Sequence, residues 1–292
     1  MINDLSKAEL PYEIKQGIAK VGRRISSFGV PVFRINGLYQ PAMHLLRNNG
    51  KYMRPTLVLM GARILGKRID DFIDIAVAAE LLHVSSLVHD DIVDGDRKRR
   101  GVDSVHIKYG SETAILAGDA LISKAIRLSA GYGEGIMKLI SDATMDMCAG
   151  EIMDYDCQSR RRVPSLAEYK DIARLKSASL IATCCSIAAV YSKNKKVARK
   201  LYDFGERIGI AFQMRDDVMD FALSHGSGKA AADRYRPNVV ATLMKRGSVS
   251  KSSAIARATE LNNNYINAAI MSMDGIKGAD SLIRYADKIR VR

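Results

Sequence analysis

Apolar residues recur at three- and four-residue spacing over most of this chain, and that period admits little besides α-helix. The helical pattern runs from about Leu5 to Phe28, Pro55 to Leu65, Asp70 to His89, Ser111 to Ala130, Ile136 to Gln158, Leu166 to Tyr191 and Lys195 to Phe221, and continues more weakly after Ser248. Alternation of period two between turn residues, which marks a half-buried strand, is hard to find. With 47% hydrophobic residues, 6% aromatic and no Trp among 292 residues, the chain has the makings of a large aliphatic core. Breaks are expected at Pro31, Pro41, Pro164 and Gly226-Ser227-Gly228. None is long enough for a domain linker, and no fixed period recurs as a solenoid requires. The expected architecture is all-α: a single large helical bundle spanning residues 1–292 as one domain, with an apolar interior.

Two acidic runs share one pattern, Asp90-Asp91-Ile92-Val93-Asp94 and Asp216-Asp217-Val218-Met219-Asp220. In a helix the first and fifth positions of Asp-Asp-x-x-Asp lie on one face about 6 Å apart along the axis. Acidic residues at that spacing usually form a solvated face. Here Leu81, Leu82, Val84, Leu87 and Val88 precede the first run, and Ile208, Ile210, Ala211, Phe212 and Met214 precede the second, so each ends an apolar helix. Carboxylates on core helices are costly unless paired or metal-bound. Mg²⁺ takes one or two carboxylates and completes its shell with water and substrate phosphate oxygens. The pattern points to a phosphate-bearing substrate, held at one mouth of the bundle, where cofactor and metal sites are commonly built.

The 45 Lys and Arg outnumber the 32 Asp and Glu, giving a net charge of +13. Such a chain suits a polyanion, an anionic membrane surface or a small phosphorylated ligand. Arg97-Lys98-Arg99-Arg100 and Arg160-Arg161-Arg162 are short basic runs without a zinc-finger, homeodomain or aromatic RNA-binding motif, so nucleic acid is set aside as a partner. Cys148, Cys157, Cys184 and Cys185 form no C-x-x-C pair, which fits a reducing compartment. The polar start Met1 to Ala8 lacks the order of a secretory signal, and the longest uncharged stretch, Ser177 to Ser192, has 16 residues, fewer than a spanning helix needs. A cytoplasmic protein without a transmembrane segment is expected, with peripheral membrane contact left open.

A diphosphate also needs cationic donors. Arg99-Arg100-Gly101 follows the first run, and Gly50-Lys51-Tyr52-Met53-Arg54-Pro55 opens an earlier helix with Lys51 and Arg54 one turn apart. His83 lies before Asp90 on the same helix; a histidine there is more often a core residue than a ligand. Gly226-Ser227-Gly228-Lys229 fails the Walker pattern, because Leu223 and Ala230 stand where Gly and Ser or Thr are required.

These residues resemble the trans-isoprenyl diphosphate synthases, the family of the farnesyl and geranylgeranyl diphosphate synthases. The likeness is carried by Gly50-Lys51-Tyr52-Met53-Arg54-Pro55, Glu80-Leu81-Leu82-His83 through Asp94, Arg99-Arg100-Gly101, Leu116-Ala117-Gly118-Asp119, Gly150-Glu151 with Asp154, Lys176-Ser177-Ala178, and Phe212 through Asp220, all in family order. The resemblance implies an isoprenoid-synthase fold with a central apolar cavity, a homodimer, and about three Mg²⁺ ions that bind an allylic diphosphate between the two acidic runs. It makes Asp90, Asp94 and Asp216 direct metal ligands, with Asp91, Asp217 and Asp220 supporting them. Arg99, Lys176 and Lys229 would hold the allylic diphosphate (dimethylallyl, geranyl or farnesyl), and Lys51, Arg54, His83 and Arg100 would hold isopentenyl diphosphate. Ser177 and Gln213, with Lys176, would serve the allylic cation. The implied reaction is ionisation, condensation and proton elimination by a Mg-dependent trans-prenyltransferase.

The chain departs from the family pattern at Asn49 and Tyr52, which replace a Gly and an Arg, and at Asn238, where a Lys is expected; the segment Gly228 to Asp233 is one residue short. Ser85 and Ser86 are small where farnesyl-producing relatives carry bulky aromatics, so geranylgeranyl diphosphate or a longer product is expected. The competing readings are a catalytically degenerate subunit of a hetero-oligomeric synthase, and a terpene cyclase or prenyltransferase with a different acceptor. The lack of Glu at the cyclase position between Asp216 and Gly226 argues against the cyclase.

Overall fold

The structure, a computed structural model, describes residues 10–48, 50–223, 235–245 and 249–291. Its contacts divide them into two compact units: residues 10–140 with 187–195, and residues 141–186 with 196–291.

The first unit is built on α1 (Tyr12–Ser26), α2 (Val30–Phe33), α3 (Asn36–His44), α4 (Met53–Ile64), α5 (Ile73–Val93), α6 (Val105–Tyr109), α7 (Ser111–Ser129) and the start of α8 (Glu134–Ser159). Helix α5 is apolar on all faces, and a helix of that kind must be surrounded. It packs against α1, α4, α6 and α7. Ile75, Ala78, Leu81, Val84 and Val88 on successive faces are at most 1% exposed. Each such aliphatic side chain stabilises the fold by about 2 kcal/mol, Ala by less. Ion pairs Arg24–Asp74 (2.9 Å) and Arg63–Glu13 (2.6 Å) fasten the polar edge of α1 to α5 and α4.

The second unit holds the rest of α8, then α9 (Leu166–Ile172), a π-helical turn at Ala173–Ala178, α10 (Ser179–Tyr191, whose last residues count with the first unit), α11 (Lys195–Leu223), α12 (Val239–Met244), α13 (Lys251–Ser272) and α14 (Asp280–Asp287). Ser165 caps α9 by accepting from the Glu168 amide, and Ser250 caps α13 by accepting from the Ser253 amide, each at 3.2 Å. Tyr169, Met214, Val218, Val240, Leu243 and Ala254 form its core beside the second acidic run. The buried amide of Asn262 donates to the Ala211 carbonyl (2.7 Å) and accepts from the Val291 amide (3.0 Å), tying α13 to α11 and to the C-terminal segment.

The structure corrects the sequence expectations at several places. Pro41 lies inside α3 and does not end it; the missing N–H removes a bond to the carbonyl of Gly37, and the helix stops three residues later. Pro31 does mark a break, standing in the first turn of α2 after α1 has ended at Ser26. The stretch Leu166 to Tyr191 is interrupted by the π turn, and residues 98–103, which carry no strand signal, form a two-stranded ribbon. α5 continues past His89 to Val93, so Asp90 and Asp91 are helical and Asp94 caps the end. Two stretches, Ile69–Val93 and Leu166–Tyr191, are long and apolar enough by composition to cross a membrane, but 67% and 78% of their apolar windows are buried within the fold, as in core helices.

Candidate active site

Both acidic runs occupy the last turns of long helices, and in both the second aspartate is consumed by the protein. On α5, Asp91 is fully buried and accepts from Arg99 Nε at 2.7 Å, while Asp90 and Asp94 are half-buried. On α11, Asp217 is 5% exposed and receives Tyr169 Oη (2.7 Å), the Val239 amide (2.8 Å) and Gln213 Nε2 (2.9 Å), while Asp216 is half-buried and Asp220 exposed. Burial raises the pKa of Asp91 against the pull of Arg99, and it lifts Asp217 to about 7 against its three hydrogen bonds. The first and fifth aspartates of each run are thus less buried than the second. No group of three His, Cys, Asp or Glu side chains converges as a closed metal cage among the described residues.

The ribbon that follows the first run explains the placement of two arginines. β1 (Lys98–Arg99) pairs antiparallel with β2 (Val102–Asp103) in the register Lys98↔Asp103 and Arg99↔Val102. Its two-residue turn, Arg100-Gly101, has φ of 54° and 84°, the doubly positive geometry of a type I′ hairpin. Arg99 is drawn to Asp91 and to Asp96 (3.0 Å). Arg100 Nη1 reaches the carbonyls of Leu45 (3.2 Å) and Asn48 (3.4 Å), and its Nη2 lies 3.7 Å from Glu80.

Glu80 had no role assigned from sequence, and it proves to be the anionic centre of the basic cluster. It is 2% exposed on α5, with its pKa raised by burial and lowered in turn by Arg100 and Arg54. A Cβ on Gly50 would come 3.0 Å from Glu80 Oε1 and 3.1 Å from Arg100 Nη1, so the chain before α4 lies directly against this pair. His83, one turn on, is pushed well below the ordinary imidazole pKa by burial and by Arg54, Arg100 and Arg99, and is neutral. Arg54 is half-buried and Lys51 exposed at the start of α4. Tyr52 has φ of 46° at the N-cap of that helix, and its hydroxyl would lie 3.8 Å from a Cβ on Gly22 of α1. The residue replacing the family arginine therefore leans on α1.

Gly118 allows α7 to approach α5. A Cβ there would fall 2.2 Å from His89 Nε2, which instead sits 3.2 Å from the Ile115 carbonyl and 3.7 Å from Asp119.

In the second unit, Lys176 and Ser177 both belong to the π turn, a rare geometry found mostly at functional sites. Gly150 of α8 makes room for it: a Cβ there would lie 2.3 Å from the Lys176 nitrogen. Lys176 Nζ is held by Glu151 (2.7 Å) and Asp154 (2.6 Å), and Asp154 also accepts from Gln158 (3.0 Å). Ser177 donates to Gln213 Oε1 at 2.8 Å, and Gln213 passes its own donor to Asp217. Ser177, Gln213, Asp217 and Tyr169 thus form one continuous network. Asn49 and Lys229, with the shortened segment Gly228 to Asp233, lie outside the described residues. Asn238 is described and caps α12.

A largely helical fold with two Asp-Asp-x-x-Asp runs near the ends of long helices, the first paired with Arg99, marks the isoprenoid-synthase class. Residues 35–263 match the family model for polyprenyl synthetases, and the chain belongs to that family. It is 38% identical over 204 residues to a geranylgeranyl pyrophosphate synthase of Geoglobus acetivorans (68% of this chain, 63% of the relative). It is 37% identical over 215 residues to a geranylgeranyl diphosphate synthase of Methanosarcina mazei (71% and 66%). The alignments thus span slightly less than two thirds of the length of these two relatives. The solved structure of a geranylgeranyl pyrophosphate synthetase from Geoglobus acetivorans superposes with a TM-score of 0.84 at 28% identity, covering 96% of this chain and 97% of that one.

Proposed function

We propose that this protein is a chain-elongating trans-prenyltransferase that condenses isopentenyl diphosphate with an allylic diphosphate to give geranylgeranyl diphosphate or a longer product. The observation that carries this reading is the shared design of the two acidic runs. In each, the second carboxylate is buried against the protein's own donors, and the first and fifth are less buried. Mg²⁺, about three ions from the family likeness, would neutralise the departing diphosphate and so favour formation of an allylic cation. Asp90, Asp94 and Asp216 are its proposed ligands, with Asp220 assisting. Arg99, Lys176 and Lys229 hold the allylic diphosphate; Lys51, Arg54, His83 and Arg100 hold isopentenyl diphosphate. A neutral His83 donates an N–H without adding charge. The oxygens of Ser177 and Gln213 stabilise the cation, being too weakly nucleophilic to trap it, and the proton lost on condensation goes to the leaving diphosphate.

Product length follows from α5. Ser85 and Ser86 turn their hydroxyls back to the carbonyls of Leu82 (2.8 Å) and His83 (2.9 Å), so each is small and polarity-satisfied; one turn before them Leu82 is larger, and about two turns before them Ala78 and Ala79 are small again. A homodimer is part of this reading. The exposed Leu116 (61%) lines a groove of about 1020 Å³ between α2–α3 and α7, and Ile115 and Ile126 are also exposed on α7. A cytoplasmic location, with at most peripheral membrane contact, fits a water-soluble pair of substrates and a lipid product.

Full-length protein incubated with Mg²⁺, an allylic diphosphate and labelled isopentenyl diphosphate, followed by chromatography of the released prenyl alcohols, tests the proposal. A geranylgeranyl or longer alcohol is expected. Folded protein that gives no elongation at saturating substrates favours the second reading, a degenerate subunit, which is motivated by the cations absent at Tyr52 and Asn238.

A further inference from the structure

We propose that Asn238 is a positioning residue for the second acidic run, acting on Asp217 through the first turn of α12, at a place where the family resemblance implies a lysine. This rests on the function proposed above and concerns how this chain orients the run.

Both ends of the Asn238 amide are engaged. Oδ1 accepts from the amides of Val240 (2.9 Å) and Ala241 (3.2 Å), which caps α12. Nδ2 donates to the main-chain carbonyl of Asp217 at 3.1 Å, and the adjacent Val239 amide donates to Asp217 Oδ2 at 2.8 Å. Residues 238 and 239 therefore grip Asp217 at its backbone and at its carboxylate together. Tyr169 and Gln213 hold the same carboxylate from α9 and from α11 itself. Asp216 and Asp220 sit one residue before and three after the gripped position, so their direction follows from how residue 217 is held. A lysine could not perform this task. It has donors and no acceptor, so it leaves the Val240 and Ala241 amides without a cap. Asn238 therefore supplies a brace under the helix end that carries Asp216 and Asp220.

The test uses full-length wild type, Asn238→Lys and Asn238→Ser. Uptake of Mn²⁺ in the presence of inorganic pyrophosphate is followed by the EPR signal of free Mn²⁺, and melting temperature is measured alongside. The expected result is that Asn238→Lys weakens Mn²⁺ uptake about fivefold and melts lower, while Asn238→Ser, which keeps a capping oxygen, recovers most of both. Asn238→Lys that binds Mn²⁺ with pyrophosphate as tightly as wild type, or more tightly, overturns the proposal. So does a lower melting temperature with unchanged Mn²⁺ uptake, because the cap then has no reach to the run. If Asn238→Lys does not fold, Asn238→Ala against Asn238→Ser is read by the same criteria. Wild type that takes up Mn²⁺ without elongating substrate overturns the proposed reaction alone; wild type that takes up none overturns both.

Discussion

Tyr169 donates its phenolic hydrogen to Asp217 Oδ2 at 2.7 Å, and both residues are buried. The contact joins α9 to the last turns of α11, and through Gln213 it extends to Ser177 in the π turn. A buried network of this kind is strong when every member is satisfied and costly when one is removed.

Tyr169→Phe removes only that hydroxyl. It should cost about 1 to 2 kcal/mol, the worth of a buried hydrogen bond whose acceptor is left one donor short. Denaturant unfolding should show the loss, and a Mg²⁺ titration of turnover should show a raised half-saturation with little change in the KM for isopentenyl diphosphate.

Asp90→Ala and Asp216→Ala should each lower kcat by orders of magnitude, through loss of a metal ligand. Asp91→Asn should behave differently, because Asp91 is the buried partner of Arg99. Its main effect should be a raised KM for the allylic diphosphate. Steady-state kinetics on the three variants separate the two kinds of aspartate, and full activity in Asp90→Ala would remove the metal role assigned to the first run.

Arg100→Ala should weaken isopentenyl binding and also destabilise the fold, by up to about 3 kcal/mol, because Glu80 then stays buried with its nearest guanidinium gone. The double variant Glu80→Gln/Arg100→Ala should regain most of the stability and none of the substrate affinity. Thermal melts and KM values measured side by side distinguish the two contributions.

His83 is neutral in the fold because its pKa lies well below the ordinary value. In the unfolded chain it takes up a proton as the pH falls below about 6.5, so over that window the unfolded state binds more protons and the fold loses stability. The slope from this one group is at most about 1.4 kcal/mol per pH unit. His83→Gln should flatten the pH dependence of unfolding between pH 6.5 and the depressed native pKa, and a slope unchanged from wild type would contradict the assignment.

The long helices and the two acidic runs were legible in the sequence because both rest on local spacing. A 3.6-residue period of apolar side chains marks α5, α7, α8 and α11 to within a few residues, and Asp-Asp-x-x-Asp places two carboxylates on one helical face whatever surrounds it. Leu166 to Tyr191 reads as one helix for the same reason. Nothing in its own residues announces the π turn, which depends on Gly150 of a different helix bringing its backbone against Lys176.

Tertiary structure alone decided which aspartate of each run is spent inside the protein, since residues one apart in a helix differ only in what they meet. The same holds for Glu80, a single acid among apolar neighbours in sequence that becomes the counter-charge of Arg100 once the ribbon folds back. Asn238 reads as a lost cation until α12 forms beside Asp217 and uses both ends of its amide. Local periodicity is encoded by neighbours along the chain; the partner of a buried polar group is supplied by residues far from it, and only packing brings them together.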